Sequence, residues 1–191
     1  MRHLALDVIQ DEHRALSAML RSMGLLVAQA SREGHAPDFA VLRAMLFYVD
    51  EFPERLHHPK ESELLFPRLR QRCPGLASTL DRLDADHARG ATSVRQLAHS
   101  LLAYEVLGTP RRAAFEQALE GYISGYLQHM AVEEAEVLPA ARSTLTEADW
   151  AVLDSAFATN RDPLTGHVAD DVFKPLFRQI LMTAPAPVGL G

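Results

Sequence analysis

Cysteine is nearly absent from this chain: Cys73 is the single one among 191 residues. One thiol cannot close an internal disulfide or build a cysteine-rich metal site, so Cys73 is expected to be a small filler near a helix end. An excess of positive charge is missing too. The formal net charge is −6 and no basic run stands out, which argues against a nucleic-acid partner. No apolar stretch is long enough to span a bilayer. The first residues, Met1-Arg2-His3-Leu4-Ala5-Leu6-Asp7, reach an acidic residue before a signal-peptide core could form. A cytoplasmic protein without a membrane partner is the expectation. Glycine-rich phosphate loops, nucleophile elbows and strand-like alternation are also lacking, which leaves the α/β enzyme classes without support.

What the chain does have is apolar content, 48% of residues, recurring at helical spacing. Leu6, Ile9, Leu16, Leu20, Met23 and Val27 mark a first helix over about 4–31. Gly34 and Pro37 end it, and Asp38 is placed to cap a second helix with Phe39, Leu42, Leu46 and Val49 inward. Pro53 and Pro59 predict a bend or interruption in that second helix. A third helix, started by Ser78 or Thr79, carries Leu80, Leu83, His87, Gly90, Val94, Leu97, Leu101 and Tyr104 on one seam. A fourth follows Thr109-Pro110 with Phe115, Leu119, Tyr122, Tyr126, His129, Glu133 and Val137. The expected fold is all-α: an up-down four-helix bundle over 1–144, and an extension over 145–191 with two shorter helices packing on it. The extension is read as a capped helix from Thr146 to about Ala158, a loop from Asn160 to Gly166, a helix from about Ala169 to Met182 and a frayed tail from Pro185.

The chain is organised around a repeated stretch. His57-His58-Pro59-Lys60-Glu61-Ser62-Glu63-Leu64-Leu65-Phe66-Pro67 is matched by His129-Met130-Ala131-Val132-Glu133-Glu134-Ala135-Glu136-Val137-Leu138-Pro139. In each, a histidine is followed four residues on by a glutamate and ten residues on by a proline. Residues four apart share a helix face, so each copy presents an imidazole and a carboxylate together. A lone histidine precedes each copy, His13 after Glu12 and His87 after Asp86, so the chain reads as a duplicated unit. The broken turn at Pro59 leaves His58 as the alternative to His57, and the shared offset with His129 favours His57.

Six seam positions of four helices thus hold imidazoles or carboxylates. A buried carboxylate without compensation costs several kcal/mol, so ion pairs, water or metal must answer it. Each His-x-x-x-Glu helix with a single-histidine helix can supply two nitrogens to one metal, and two carboxylates can bridge a pair. Such a donor set with an oxo or hydroxo bridge and an open position favours iron, with manganese or zinc as competitors. His3/Asp7 and His167/Asp171 share the spacing but not the repeat and read as surface or capping pairs. His35 falls in a loop and His99 off the seam. Tyr122 and Tyr126 read as core aromatics, with a hydrogen bond to a glutamate or a metal-bound ligand as the alternative, and Glu134 and Glu136 as a solvated face, with support of the ligands as the alternative.

Asp11-Glu12-His13, the 57–67 stretch, Asp86-His87 and the 129–139 stretch together resemble the hemerythrin-like (HHE) cation-binding domains, over roughly residues 3 to 142. The resemblance implies a four-helix bundle with a non-haem di-iron centre. It carries over His13, His57, Glu61, His87, His129 and Glu133 as iron ligands, the two glutamates bridging. It is nearer to the iron-centre repair members than to the oxygen carriers. The carriers have a further histidine where Ala91 stands, and a fourth-helix aspartate without a counterpart here. The repair members carry an additional cysteine-containing N-terminal domain, also without a counterpart. The expected function is di-iron binding with a small ligand such as dioxygen, nitric oxide or peroxide, or iron handling. The alternatives are a di-iron redox or repair enzyme and a helical interaction module with a vestigial site. The apolar face of the last helix makes a second copy of the chain a candidate partner.

Overall fold

The computed structural model describes residues 3–190, which are helical with connecting turns. Helix α1 spans Leu4–Glu33 and ends at Gly34, whose φ of 76° returns its N–H to Ala30 and Ser31. Helix α2 spans Phe39–Glu51, capped by the Asp38 carboxylate accepting from Val41 N–H. The rod does not break where Pro53 and Pro59 predict an interruption. It runs on through a π-helical turn Pro53–His57, a helical turn His58–Lys60 and a second π-helical turn Glu61–Leu65 into α3, Phe66–Arg72. Cys73, partly buried, caps that end. After a 3-10 turn at Pro74–Leu76, α4 runs Ala77–Leu107, without the side-chain cap expected from Ser78 or Thr79. Helix α5 covers Arg112–Val132, and a third π-helical turn, Glu133–Val137, leads into α6, Leu138–Thr144.

The three wide turns have a common origin. A proline has no N–H to donate and its ring collides with the carbonyl four residues back, so the ladder steps to five. Phe66 N–H reaches Glu61 O and Leu138 N–H reaches Glu133 O, each one residue before the proline that closes its copy of the repeat. His58 N–H likewise reaches Pro53 O.

Four rods form the bundle: α1, the α2–α3 rod, α4, and the α5–α6 rod. Helices α1 and α4 each pack against α2 and α5. The seams expected from the sequence are the buried faces, and they form two apolar clusters rather than one. The larger takes Leu16 to Val27, Leu42 to Phe52, Val94 to Tyr104 and Phe115 to Met130. The smaller takes Ala5, Leu6, Ile9, Leu65 to Leu69, Leu80, Leu83 and Val137 to Ala141. The layer between them holds the histidines and glutamates of the repeat.

The C-terminal segment feeds both clusters. Helix α7, Glu147–Phe157, opens with a capping box between Thr146 and Asp149 and packs Trp150, Leu153 and Phe157 into the smaller one. Helix α8, Lys174–Thr183, adds Phe177 and Ile180 to the larger. It starts later than Ala169, and Val172, before its first turn, is 77% exposed. The tail from Pro185 is not frayed: Ser22 Oγ donates to Pro185 O at 2.8 Å, and Leu190 N–H donates to Leu181 O at 2.9 Å. His3 is not a surface residue either. It is buried, with its ring stacked on Trp150 at 4.1 Å. No described helix is long and apolar enough to cross a membrane.

Candidate metal centre

Each rod contributes to the polar layer. His13 comes from α1 between Ile9 and Leu16. His57, His58 and Glu61 come from the stretch of the second rod between and within its two π-helical turns, His87 from α4, His129 from the end of α5 and Glu133 from the π-helical turn that follows it. All six residues singled out by the repeat meet there. His57 Nε2 lies 3.2 Å from Glu61 Oε2, and His129 Nε2 lies 3.2 Å from Glu133 Oε1. His13 Nε2 is 3.4 Å from Glu133 Oε2, and His87 Nε2 is 3.6 Å from both Glu61 Oε2 and Glu133 Oε1. Glu61 and Glu133 are 0% and 1% exposed.

His58 does not compete with His57; both enter the layer. Neighbouring residues on a helix diverge by about 100°, so the pair straddles the centre. His13, His57 and Glu61 form one compact donor group, and His58, His87 and His129 form another; Glu61, His87 and Glu133 connect them. The His58 ring stacks on His87 at 4.1 Å. A fifth histidine therefore joins from the second rod, although position 91 on α4 is alanine. The sequence signal for it was the adjacent His57-His58 pair. The donor set is accordingly uneven, two imidazoles on one side and three on the other.

Every one of the five imidazoles has an outer partner at Nδ1. His57 donates to Glu12 Oε2 at 2.7 Å, His13 to Glu134 Oε1 at 3.1 Å, His58 to Glu54 Oε2 at 3.2 Å and His129 to Asp86 Oδ2 at 3.4 Å. Ser62 Oγ sits 2.8 Å from His87 Nδ1. A carboxylate only accepts, so it holds the proton on Nδ1 and turns the Nε2 lone pair inward, the arrangement in which histidine ligates metals; His87 Nε2 and His129 Nε2 meet there at 3.0 Å. Four of the five partners, all but Glu54, cross between rods. Glu12 and Asp86, which read in the sequence only as acidic neighbours of His13 and His87, serve His57 and His129 instead. Glu134, expected on a solvated face, is half-exposed but holds His13. Tyr126 is more than a core aromatic: its hydroxyl donates to Glu54 Oε1 at 2.8 Å and lies 3.2 Å from His58 Nε2. Gly90 on α4 makes room for this group, since a Cβ there would overlap the Glu54 carboxylate.

The inner face is where the balance fails. Both carboxylate oxygens of Glu61, both of Glu133, and His57 Nε2 are buried without a hydrogen-bond partner. Lone pairs of imidazoles and carboxylates thus face one another at 3.2–3.6 Å, which is unfavourable unless positive charge lies among them. Protons are one answer. Burial pushes the His13 imidazole down, but Glu133 and Glu134 outweigh it and bring it up to about 9. His57 and His129 are likewise raised by their glutamates against burial. Burial also pushes the Glu133 carboxyl up, yet His129, His13 and His87 hold it well below the usual range. His58 goes the other way, kept neutral by burial and by the neighbouring imidazoles. Metal cations are the other answer, and the donor set of five nitrogens and two carboxylates fits them.

A four-rod helical bundle whose polar waist is built from inward imidazoles and carboxylates is a cation-binding bundle. The family model of the hemerythrin HHE cation binding domain matches residues 4–141, and the chain belongs to that family. Comparison with curated proteins and with solved structures finds no match.

Two cavities border the centre. One, of about 380 Å³, opens between α4 and α5 beside His58, His87 and His129, and is lined also by Arg82, Gly121, Tyr122 and Gly125. The other, of about 10 Å³, lies beside His13 and His57 under Leu16, Phe52, Leu56 and Met130.

Proposed function

We propose that the chain holds two iron ions in this layer and binds a small ligand, dioxygen, nitric oxide or peroxide, at the side that has fewer histidines. His13 and His57 would hold one ion and His58, His87 and His129 the other, with Glu61 and Glu133 shared between them. The observation that carries the reading is the set of buried, unpartnered carboxylate oxygens on Glu61 and Glu133 facing imidazole lone pairs. Glu133 supports the sharing: Oε2 faces His13 while Oε1 faces His87 and His129. A ferrous pair held by these residues would supply two one-electron reducing equivalents.

The residues supply the rest. The side with two imidazoles has one fewer protein nitrogen to offer, so a small ligand would bind the ion held there. The adjoining space of about 10 Å³, roughly one water molecule's room, is lined by Leu16, Phe52, Leu56 and Met130 and also by Glu12, Tyr126 and Asp162. Such a space suits a diatomic molecule and excludes bulk water. Glu12, Glu134 and the other outer acceptors keep the imidazoles in the ligating tautomer before metal arrives.

The test is anaerobic reconstitution with Fe(II), followed by iron analysis and absorption spectra after adding dioxygen, nitric oxide or azide. Two iron ions per chain and ligand-dependent bands in the oxo-bridged di-iron region are expected. Absence of stoichiometric metal would instead leave an ion-paired helical module.

A further inference from the structure

The segment beyond the family domain reaches back to the centre, and at Asn160 it does so through hydrogen bonds. Asn160 lies outside the matched residues 4–141, in the turn after α7, and is 3% exposed. Its amide is engaged on both sides. Nδ2 donates to Glu12 Oε1 and Oε2 at 2.9 Å each, and Oδ1 accepts from the Lys60 ammonium. Chemistry dictates this orientation, because a carboxylate has no proton to give and an ammonium has no lone pair. Lys60 also donates to Thr159 Oγ1 at 2.9 Å. Glu12 in turn accepts His57 Nδ1–H at 2.7 Å, the shortest of the five outer contacts. A relay of hydrogen bonds therefore runs from Lys60 through Asn160 and Glu12 to the imidazole whose Nε2 is buried and unpartnered. The outer partners of the other four histidines, Glu134, Glu54, Ser62 and Asp86, all lie within the family domain.

We propose that Asn160 is a positioning residue for the metal ion at the His13–His57 position, so that the C-terminal segment completes one half of the centre. By pinning both oxygens of Glu12 it holds His57 with Nδ1–H outward and Nε2 inward. This inference rests on the two-ion reading above. Loss of an outer partner lowers metal affinity by about 10- to 100-fold, and here the loss should fall on one ion, since the three-histidine side keeps its own partners. Asp162, two residues on, gives a control. Its carboxylate accepts from Tyr48 O–H at 2.6 Å, so Tyr48→Phe loosens the same turn while leaving the hydrogen bonds of Glu12 in place.

The full chain, loaded with Fe(II), is mixed with excess coloured ferrous chelator and iron release is followed. Asn160→Asp, which sets a second carboxylate against Glu12, should speed one of two release phases about 10-fold or more and leave the other unchanged. Tyr48→Phe should leave both phases unchanged. The azide-induced absorption band of the loaded protein, after oxidation to the ferric state by dioxygen, should shift in Asn160→Asp and not in Tyr48→Phe. Unchanged release in Asn160→Asp, equal acceleration of both phases, or equal effects of the two variants would overturn the inference and leave the metal reading intact. Failure of the unaltered chain to take up iron would overturn both.

Discussion

Replacing Glu133 by glutamine keeps the shape of the side chain and removes the charge that both sides of the centre share. Glu133 is 1% exposed and approaches His13, His129 and His87 at 3.4, 3.2 and 3.6 Å. At those separations a unit charge interacts with another by about 5 kcal/mol at an effective dielectric constant of about 20, so the amide forfeits most of the attraction for either cation. The readable quantity is the stabilisation that metal confers. A ligand that binds only the folded state, at a thousand times its Kd, adds about 4 kcal/mol. At about 2–4 °C per kcal/mol for a chain of this size, Fe(II) should raise the Tm of the unaltered protein by roughly 8–16 °C. In Glu133→Gln that shift should vanish or fall below half, with less than two iron per chain, as read by anaerobic thermal melts and iron analysis on the same samples. A variant that kept two iron ions and the whole Tm shift would refute the reasoning, because the lone pairs said to require a cation would then not be holding one.

His58→Ala should weaken one of the two iron ions by 10-fold or more and leave the other, while His57→Ala weakens the opposite one; competition against a chelator distinguishes them. The metal-free protein should lose stability as pH rises. His13 is raised from 6.5 to about 9, so its contribution, about 3 kcal/mol, is complete below about pH 6.5 and gone above about pH 9. Urea unfolding of the apo form at pH 6 and pH 9.5, with His13→Ala flattening the difference, checks the sign, and metal uptake near neutral pH should release protons. Gly90→Ala should destabilise by about 1–3 kcal/mol, because the new methyl displaces Glu54 from Tyr126 and His58. Gly121→Ala, whose Cβ meets nothing within 4 Å, should stabilise α5 by about 0.5–1 kcal/mol, as denaturant midpoints will show.

Much of the bundle was legible because helical seams are local patterns. Leu80, Leu83, Val94, Leu97, Leu101 and Tyr104 are inward for the same reason that they recur at three- and four-residue steps. The ligand candidates were legible for a related reason: a carboxylate or imidazole in such a seam has nowhere else to go. The prolines were harder. Pro53 and Pro59 were readable as a disturbance and Pro67 and Pro139 only as the ends of the repeat, but whether the ladder breaks or widens into a π turn depends on packing from both sides. The tail and His3 were misjudged because their partners, Ser22 and Trp150, are distant in sequence and give no periodic signal.

The sequence by itself determined the four rods, the two-fold repeat and the six inward polar positions, since spacing along a helix is enough to say which residues share a face. Only the tertiary structure decided that His58 joins His57, that Glu12 serves His57 and Asp86 serves His129, and that Asn160 braces Glu12 from beyond the bundle. These are contacts between separate rods, made by side chains that can turn through several rotamers. Which partner each one meets follows from how the helices are rotated and stacked against one another, and no spacing along a single helix encodes that.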